Sequence, residues 1–186
     1  MNNSNTLSSY LNSRYAKKGE AYTHTRIGDD SLNVKGGSYF IPDENENKFY
    51  ELYHKVVFKQ KKQEYLTEKQ YFEKGTLCID IDLRYDTDIE EKQHTREHVL
   101  DLIDLYCEHL KNLLHMPPTS NFPIYIFEKP DVNMLDNITK DGIHIIIGIN
   151  LDRALNIMLR SKIVTEITNI WTDLPITNSW SDVFDD

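Results

Sequence analysis

The sequence predicts a mixed α/β fold, because strand-like and helix-like hydrophobic patterns succeed one another along its 186 residues. Short β-prone runs occur at 76–85, 122–127 and 141–149, and alternation of apolar and polar residues indicates strands with one buried face. Two longer segments, 95–114 and 150–171, repeat apolar residues at three- and four-residue steps, which is typical of amphipathic helices. No internal repeat interrupts this order, and 39% apolar residues suffice for one core, so we expect one domain.

The first residues differ in composition from the rest. Residues 1–13 carry no charged side chain and are rich in Asn and Ser. Such segments bury too little apolar surface to fold alone. We therefore predict a flexible tail over residues 1–20 and a folded domain over residues 21–186.

Three elements follow the predicted tail. Residues 22–27 form a β-prone run that places His24 and Arg26 on one face and Thr and Ile side chains on the other. Residues 38–41 form a second short strand, which a proline ends. Residues 47–60 form the first clear helix, because their apolar residues recur at three- and four-residue steps.

The end of this first helix is basic, with Lys55, Lys59, Lys61 and Lys62 close together. Cations in the last turn of a helix complement the helix dipole, which is one interpretation. Contact with the phosphates of a nucleic acid is the alternative.

The strand at 76–85 carries two acids on one face. Its apolar residues alternate with polar ones, so Asp80 and Asp82 share the side opposite the core, about 6–7 Å apart at the backbone. Two carboxylates this close repel each other and need a compensating charge. Mg²⁺ would supply it, because it is often held by one or two carboxylates together with substrate phosphates. A solvated strand with two incidental acids is the alternative.

The second candidate site lies at the start of the strand at 141–149. Four isoleucines at alternate positions predict its buried face, so Gly142 and His144 lie on the other face. Gly142 lets a ligand or another backbone come close. His144 could donate to a phosphate oxygen or bind a metal, or it could be a hydrogen-bonded structural histidine.

Capping residues predict where the remaining helices begin. Thr95 is expected to cap the helix that ends near residue 114, and Asn150 the last long helix. Residues 180–186 begin a further element that the end of the chain cuts off.

Charge and cysteine content exclude several classes of protein. A net charge of −9 argues against a protein that coats nucleic acid indiscriminately. Residues 1–62 hold ten Lys/Arg against seven Asp/Glu, whereas residues 63–186 hold eleven against twenty-three. Two cysteines make neither a zinc pattern nor a disulfide framework. No apolar run reaches membrane-spanning length, so we expect an intracellular protein without a membrane partner.

Several runs together resemble the archaeo-eukaryotic primase superfamily. Asp80-x-Asp82 is followed about sixty residues later by Gly142-x-His144, where serine is commoner at the first place. More specifically, the chain resembles the N-terminal primase-polymerase domain of the primase-helicases of large cytoplasmic DNA viruses. The supporting runs lie at residues 23–26, 37–42, 65–69, 78–85, 127–130 and 141–144.

The resemblance implies a fold, an activity and partners. The fold would be a mixed, partly antiparallel sheet of the primase type (similar to an RNA-recognition motif) flanked by helices. The activity would be template-directed nucleotidyl transfer, as a DNA primase or polymerase, using two Mg²⁺ or Mn²⁺ ions. The partners would be a single-stranded DNA template, nucleoside triphosphates and a C-terminal helicase domain of the same polypeptide. For a viral protein, the host cytoplasm is the expected location.

The resemblance also implies roles for individual residues. The catalytic, metal-binding acids would be Asp80, Asp82 and Asp185, with Asp182 and Asp186 as alternatives for the third. The residues near the nucleotide would be His144, Gly142 and Arg84. The residues that contact nucleic acid would be His24, Arg26, Lys69, Lys59, Lys61 and Lys62. Family members continue beyond the third acid, so we interpret this chain as an incomplete piece that is weakly active or inactive alone.

Two other functions fit parts of the sequence. A metal-dependent sugar-nucleotide transferase also uses Asp-x-Asp after a hydrophobic strand, but it would want a Gly-rich turn between a strand and a helix, which is absent from the sequence. A docking module of a replication protein would bind nucleic acid through its basic residues without catalysis. Metal-dependent nucleotide binding would separate both enzymes from the docking module.

Overall fold

The computed structural model of the chain describes residues 6–32, 34–70, 73–117 and 119–184. The chain divides into two compact units, Met1–Gln70 and Tyr71–Asp186. The boundary between the two units falls after Gln70, within the domain that we predicted over residues 21–186. No helix among the described residues combines the length and apolar character needed to cross a membrane.

The first unit begins with a helix where we predicted a flexible tail. Helix α1 spans Leu7–Asn12, and the Thr6 hydroxyl accepts a hydrogen bond from the amide of Ser9 in a capping box. Leu7 and Leu11 are almost fully buried. A few apolar side chains thus anchor a short helix within residues 1–20, which we predicted as a tail.

The first unit contains a small antiparallel sheet in the order β1-β3-β2-β4. Its strands are β1 (Tyr15–Ala16), β2 (His24–Arg26), β3 (Gly37–Tyr39) and β4 (Leu66–Glu68). The strands predicted at 22–27 and 38–41 are confirmed as β2 and β3.

The first clear helix of the sequence is interrupted near its end. Helix α2 spans Glu46–His54, and the chain continues in one π-helical segment, Lys55–Lys59. Phe49 and Leu52 on α2 are buried. Lys61, just beyond, has a positive φ of 56°, so the helix ends one turn later than α2 and in a wider coil.

The second unit is built on a four-stranded antiparallel sheet. Its strands are β5 (Lys74–Tyr85), β6 (Ile124–Glu128), β7 (Asn133–Leu135) and β8 (Ile138–Asp152). Strand β8 lies at the centre, with β5 on one side and β6 and β7 on the other. The three predicted strands are confirmed.

Three helices complete the second unit: α3 (Arg96–Leu114), α4 (Arg153–Ile167) and α5 (Trp180–Val183). Thr95 caps α3 in a capping box, as predicted. Helix α4 is capped by Asp152, whose side chain accepts from the amide of Leu155. The prediction of Asn150 as this cap is wrong, because β8 continues to Asp152.

The core of the second unit lies between one face of the sheet and the helices. The strands contribute Leu77, Ile79, Ile81 and Leu83 from β5 and Ile143, Ile145 and Ile147 from β8. Trp171, which is 1% exposed, packs within the same core, and its indole donates a hydrogen bond of 3.0 Å to the carbonyl of His98. The other face of the sheet is left open. The predicted fold, a mixed fold with antiparallel sheets flanked by helices, is confirmed.

Candidate active site

Strand β5 presents its two acids on the face of the sheet away from the core. Leu77, Ile79 and Ile81 are buried, whereas Asp80 is half-buried and Asp82 is exposed. Side chains of a strand alternate between faces, so burial of the apolar set forces both acids onto the opposite side. The predicted alternation is confirmed.

The second predicted site element lies directly beside the first. Strand β8 pairs with β5 so that His144 is opposite Asp80 and Gly142 is opposite Asp82. The Nδ1 atom of His144 lies 3.2 Å from Oδ1 of Asp80, and 58% of the histidine side chain is exposed. His144 is therefore no buried structural histidine, and its ring can reach a ligand on the open face.

The two carboxylates suit a hard divalent cation. Asp80 Oδ1 is buried and lacks a hydrogen bond of good geometry from the described residues. Carboxylate oxygens are the donors that Mg²⁺ and Mn²⁺ prefer. No group of three or more His, Cys, Asp or Glu side chains within the described part of the chain forms a complete metal site. The two acids therefore supply carboxylate oxygens of the kind that such a cation binds.

Gly142 leaves open space beside Asp82. A Cβ atom at this position would lie 3.4 Å from the carbonyl oxygen of Ile81 and 3.8 Å from Oδ1 of Asp82, which are ordinary contacts. Gly148 on the same strand differs, because a Cβ there would come within 2.8 Å of the Pro123 ring. Packing thus requires glycine at 148 but not at 142.

Arg84 lies on the same open face, opposite Lys140. Its Nε atom is buried and makes no hydrogen bond to the described residues. Its main chain is held by the segment along the free edge of β5, where its carbonyl accepts from the amide of Thr177 at 2.7 Å and its amide donates to Asn178 at 3.2 Å. The backbone of Arg84 is therefore fixed by the segment beside it.

The end of the described chain runs beside the two acids. Phe184 forms an antiparallel bridge with Ile81, the residue between Asp80 and Asp82. Arg160 on α4 donates to the carbonyl of Phe184 at 3.0 Å. Ser179 caps the short helix α5: its hydroxyl accepts from the amide of Asp182 at 3.2 Å and donates to the Asp182 carboxylate at 2.6 Å.

The other two candidates for the third acid cannot be placed. Asp185, which we predicted as that acid, and Asp186 lie outside the described residues.

A family model described as the C962R protein N-terminal AEP domain matches residues 28–186. The chain belongs to this family. The abbreviation denotes the archaeo-eukaryotic primases, a superfamily of primases and related nucleotidyltransferases, and the predicted resemblance is thereby confirmed.

The AEP domain also resembles a long viral protein. It is 26% identical over 178 residues to the protein named "Putative helicase L207/L206" of Acanthamoeba polyphaga mimivirus. The match covers 93% of this chain but 18% of the mimivirus protein. The chain thus spans less than a fifth of that relative.

The structure shows a buried polar cluster that the sequence analysis missed. The Nδ1 atom of His94 lies 2.8 Å from Oδ2 of Asp141, and its Nε2 atom lies 2.8 Å from Oε1 of Glu128. The side chains of His94 and Asp141 are 2% and 0% exposed. Asp141 and Glu128 belong to two of the runs that carry the primase resemblance, and that position was the available signal.

Electrostatics in this cluster favour an ion pair. The contact with Asp141 raises the pKa of His94, although burial opposes it, and Glu128 acts in the same direction. Burial alone would raise the pKa of Asp141, but the hydrogen bond and charge of His94 and the amide of Gly142 hold it below its ordinary value. His94 is therefore charged over a wider pH range than a free histidine.

Two of the residues predicted to contact nucleic acid are buried in the first unit. His24 and Arg26 are each 4% exposed. Arg26 is paired with Glu64 through two hydrogen bonds, one of them 2.8 Å from Nε to Oε2, and the His24 ring packs 4.8 Å from that of Phe49. Both side chains are thus buried within the first unit, and their contact with nucleic acid stays a prediction.

The predicted lysines of the same unit are on the surface. Lys59, Lys61, Lys62 and Lys69 are all exposed. The ammonium group of Lys69 lies 4.6 Å from the centre of the Tyr22 ring. Their contact with nucleic acid stays a prediction, and their exposure permits it.

Proposed function

We propose that this AEP domain is the catalytic part of a template-directed nucleotidyltransferase, a DNA primase or primase-polymerase of viral DNA replication. One observation carries the proposal: Asp80 and Asp82 lie directly opposite His144 and Gly142 on the open face of one sheet. This pairing brings oxygen donors for cations next to an exposed donor for phosphate. Membership of the family supports the same chemistry.

The roles of the side chains follow from their charges. Asp80 and Asp82 would hold Mg²⁺ or Mn²⁺, and Asp185, which directly follows Phe184 in the sequence, is our choice for the third acid. Two such ions would supply a clamp on the attacking and leaving oxygens of an in-line displacement. His144, whose Nδ1 faces Asp80, and the half-buried side chain of Arg84 on the same face would donate to phosphate oxygens and fix their orientation.

Template and partner follow from other observations. The exposed lysines at 59, 61, 62 and 69 would contact the phosphates of a single-stranded DNA template, since such contacts depend on charge rather than sequence. The mimivirus relative is named a helicase, so we propose that a helicase domain accompanies this AEP domain in one polypeptide. Initiation of DNA synthesis would then be coupled to strand separation.

The test is the loss of metal-dependent nucleotide binding in an Asp80→Asn/Asp82→Asn double variant. Removing both carboxylates should abolish Mn²⁺-dependent binding of ATP or dATP, measured by calorimetry. The free energy of unfolding should be unchanged or slightly higher, because repulsion between like charges is removed. An Asp101→Asn/Asp104→Asn variant, which changes two exposed acids of α3, controls for net charge.

Nucleotide incorporation on a single-stranded template provides the second readout. The wild-type chain and its charge control should incorporate nucleotide, alone or together with the proposed helicase domain, and the double variant should not. Wild-type nucleotide affinity in the double variant would refute the metal site. Such a result would favour a docking module without catalysis.

A further inference from the structure

The edge strand of the second sheet exposes two aromatic rings. Tyr125 and Phe127 on β6 are 54% and 52% exposed. In the pairing of β6 with β8, Tyr125 is opposite Ile146 and Phe127 is opposite His144. Residues opposite each other in antiparallel strands share a face, so both rings lie on the open face that carries the candidate active site.

Phe127 is in line with the two groups that define that site. Asp80 on β5, His144 on β8 and Phe127 on β6 form one row across three neighbouring strands. Neighbouring strands lie about 4.8 Å apart, so the row spans roughly 10 Å at the backbone. An acid, a hydrogen-bond donor and an aromatic ring therefore follow one another in a fixed order.

Core packing does not account for these rings. The residue between them, Ile126, points to the other side of the sheet, opposite the buried Ile145, and is itself 43% exposed. Large aromatic side chains gain stability when they are buried, whereas these two leave half of their surface in water. Exposed aromatic rings on a sheet face beside a charged site are the arrangement that nucleic-acid-binding proteins use to stack bases.

We infer that Tyr125 and Phe127 form a stacking shelf for the base of the incoming nucleotide. The inference rests on the proposed function, since the phosphates are taken to lie at His144 and the two acids. A nucleoside triphosphate has its charge at one end and its flat base at the other, and the row from Asp80 to Phe127 has the same polarity and a similar length. Stacking uses the face of a base and leaves its pairing edge free, so the shelf would accept all four bases and let a template choose among them.

The experiment compares a ligand that has a base with one that lacks it. Calorimetry in Mn²⁺ would measure the affinity of wild type, Phe127→Ala and Phe127→Leu for ATP and for inorganic tripolyphosphate. Both variants should bind ATP about fivefold or more weakly, as expected for loss of a base–aromatic contact, and should bind tripolyphosphate like wild type. Phe127→Leu keeps an apolar side chain without a ring. Phe127→Trp keeps an aromatic ring and should bind ATP with the affinity of wild type.

Ile126→Ala is the matched control, since it alters the same strand on its other face. It should leave both affinities unchanged, and circular dichroism would confirm that each variant is folded. Equal ATP affinity in wild type, Phe127→Ala and Phe127→Leu would refute the stacking shelf without refuting the metal site.

Two further outcomes separate the inference from its premise. If neither ligand binds wild type, the proposed function fails and the shelf fails with it. If Phe127→Ala lowers affinity for a single-stranded oligonucleotide but not for ATP, the rings contact the template strand, and the assignment to the incoming nucleotide is wrong.

Discussion

Replacing His94 should lower the free energy of unfolding of the second unit by more than the loss of one hydrogen bond would. In His94→Ala, the carboxylate of Asp141 keeps its burial, with a side chain 0% exposed, but loses its partner at 2.8 Å. Lys92 remains 4.0 Å away, and the amide of Gly142 still donates to it at 2.9 Å. Breaking a buried ion pair costs about 3–5 kcal/mol, against about 1 kcal/mol for a neutral hydrogen bond. The remaining partners place the expected loss near 3 kcal/mol.

The chain offers a specific probe for this measurement. Its two tryptophans are Trp171 and Trp180, and both belong to the second unit. Urea unfolding followed by tryptophan fluorescence therefore reports the stability of the unit that contains the pair. A His94→Ala/Asp141→Asn variant serves as the second arm, because it also removes the stranded charge. Its loss of stability should be smaller than the sum of the two single losses.

The same pair predicts a pH dependence. The pKa of His94 is raised in the folded state, so its stabilisation is fully present below about pH 6.5 and is lost as pH rises through the raised pKa. The pKa of Asp141 is lowered, so its stabilisation is present above about pH 4 and is lost as pH falls through the folded value. The free energy of unfolding should therefore decline as pH rises above about 6.5, and His94→Ala should flatten that decline.

Two results would refute this reasoning. A loss of 1 kcal/mol or less in His94→Ala would show that Asp141 is not charged when buried. An unchanged pH profile in His94→Ala would show that the pair of His94 and Asp141 does not cause the pH dependence.

Two further predictions test glycine positions and the first unit. Gly142→Ala should change the free energy of unfolding by less than about 0.5 kcal/mol, because its Cβ meets ordinary contacts, yet it should weaken Mn²⁺-dependent ATP binding. Gly148→Ala should lower the free energy of unfolding by about 1–3 kcal/mol by overpacking against Pro123. Equal losses of stability in the two variants would contradict this distinction. Glu64→Gln should destabilise the first unit by about 3 kcal/mol, because it leaves the buried Arg26 without its carboxylate. Pulse proteolysis in urea measures this loss of stability. The control is Glu51→Gln, which should leave stability nearly unchanged because Glu51 and its partner Lys48 are both exposed.

The sequence could predict the elements in which one strict pattern governs burial. Strands β5 and β8 alternate isoleucine and leucine with polar residues, and a shift by one residue would expose the whole apolar set. Their faces were therefore readable, and so was the placement of Asp80 and His144 on the open side. That the two strands are neighbours is a tertiary fact, which only the family resemblance anticipated.

The sequence could not predict the elements in which a polar residue is buried by a distant partner. Strand β2 turns His24 and Arg26 inward and leaves Ile27, 67% exposed, near its end. Arg26 is buried because Glu64, thirty-eight residues away, neutralises it. His94 is buried for the same reason. No local periodicity records such a pairing, so hydropathy assigns these residues to the surface.

The buried cluster and the candidate active site are connected through a single strand. Asp141 and Gly142 are adjacent on β8, so Asp141 faces the core while Gly142 faces the open side. The Asp141 carboxylate accepts the amide of Gly142 at 2.9 Å, and His94 holds that carboxylate in the protein interior. The hydrogen bond to Asp141 thus holds the backbone of Gly142 in place beneath the candidate active site. A substitution at His94 should therefore shift Gly142 and weaken the proposed binding of nucleotide, although the histidine lies on the opposite face of the sheet.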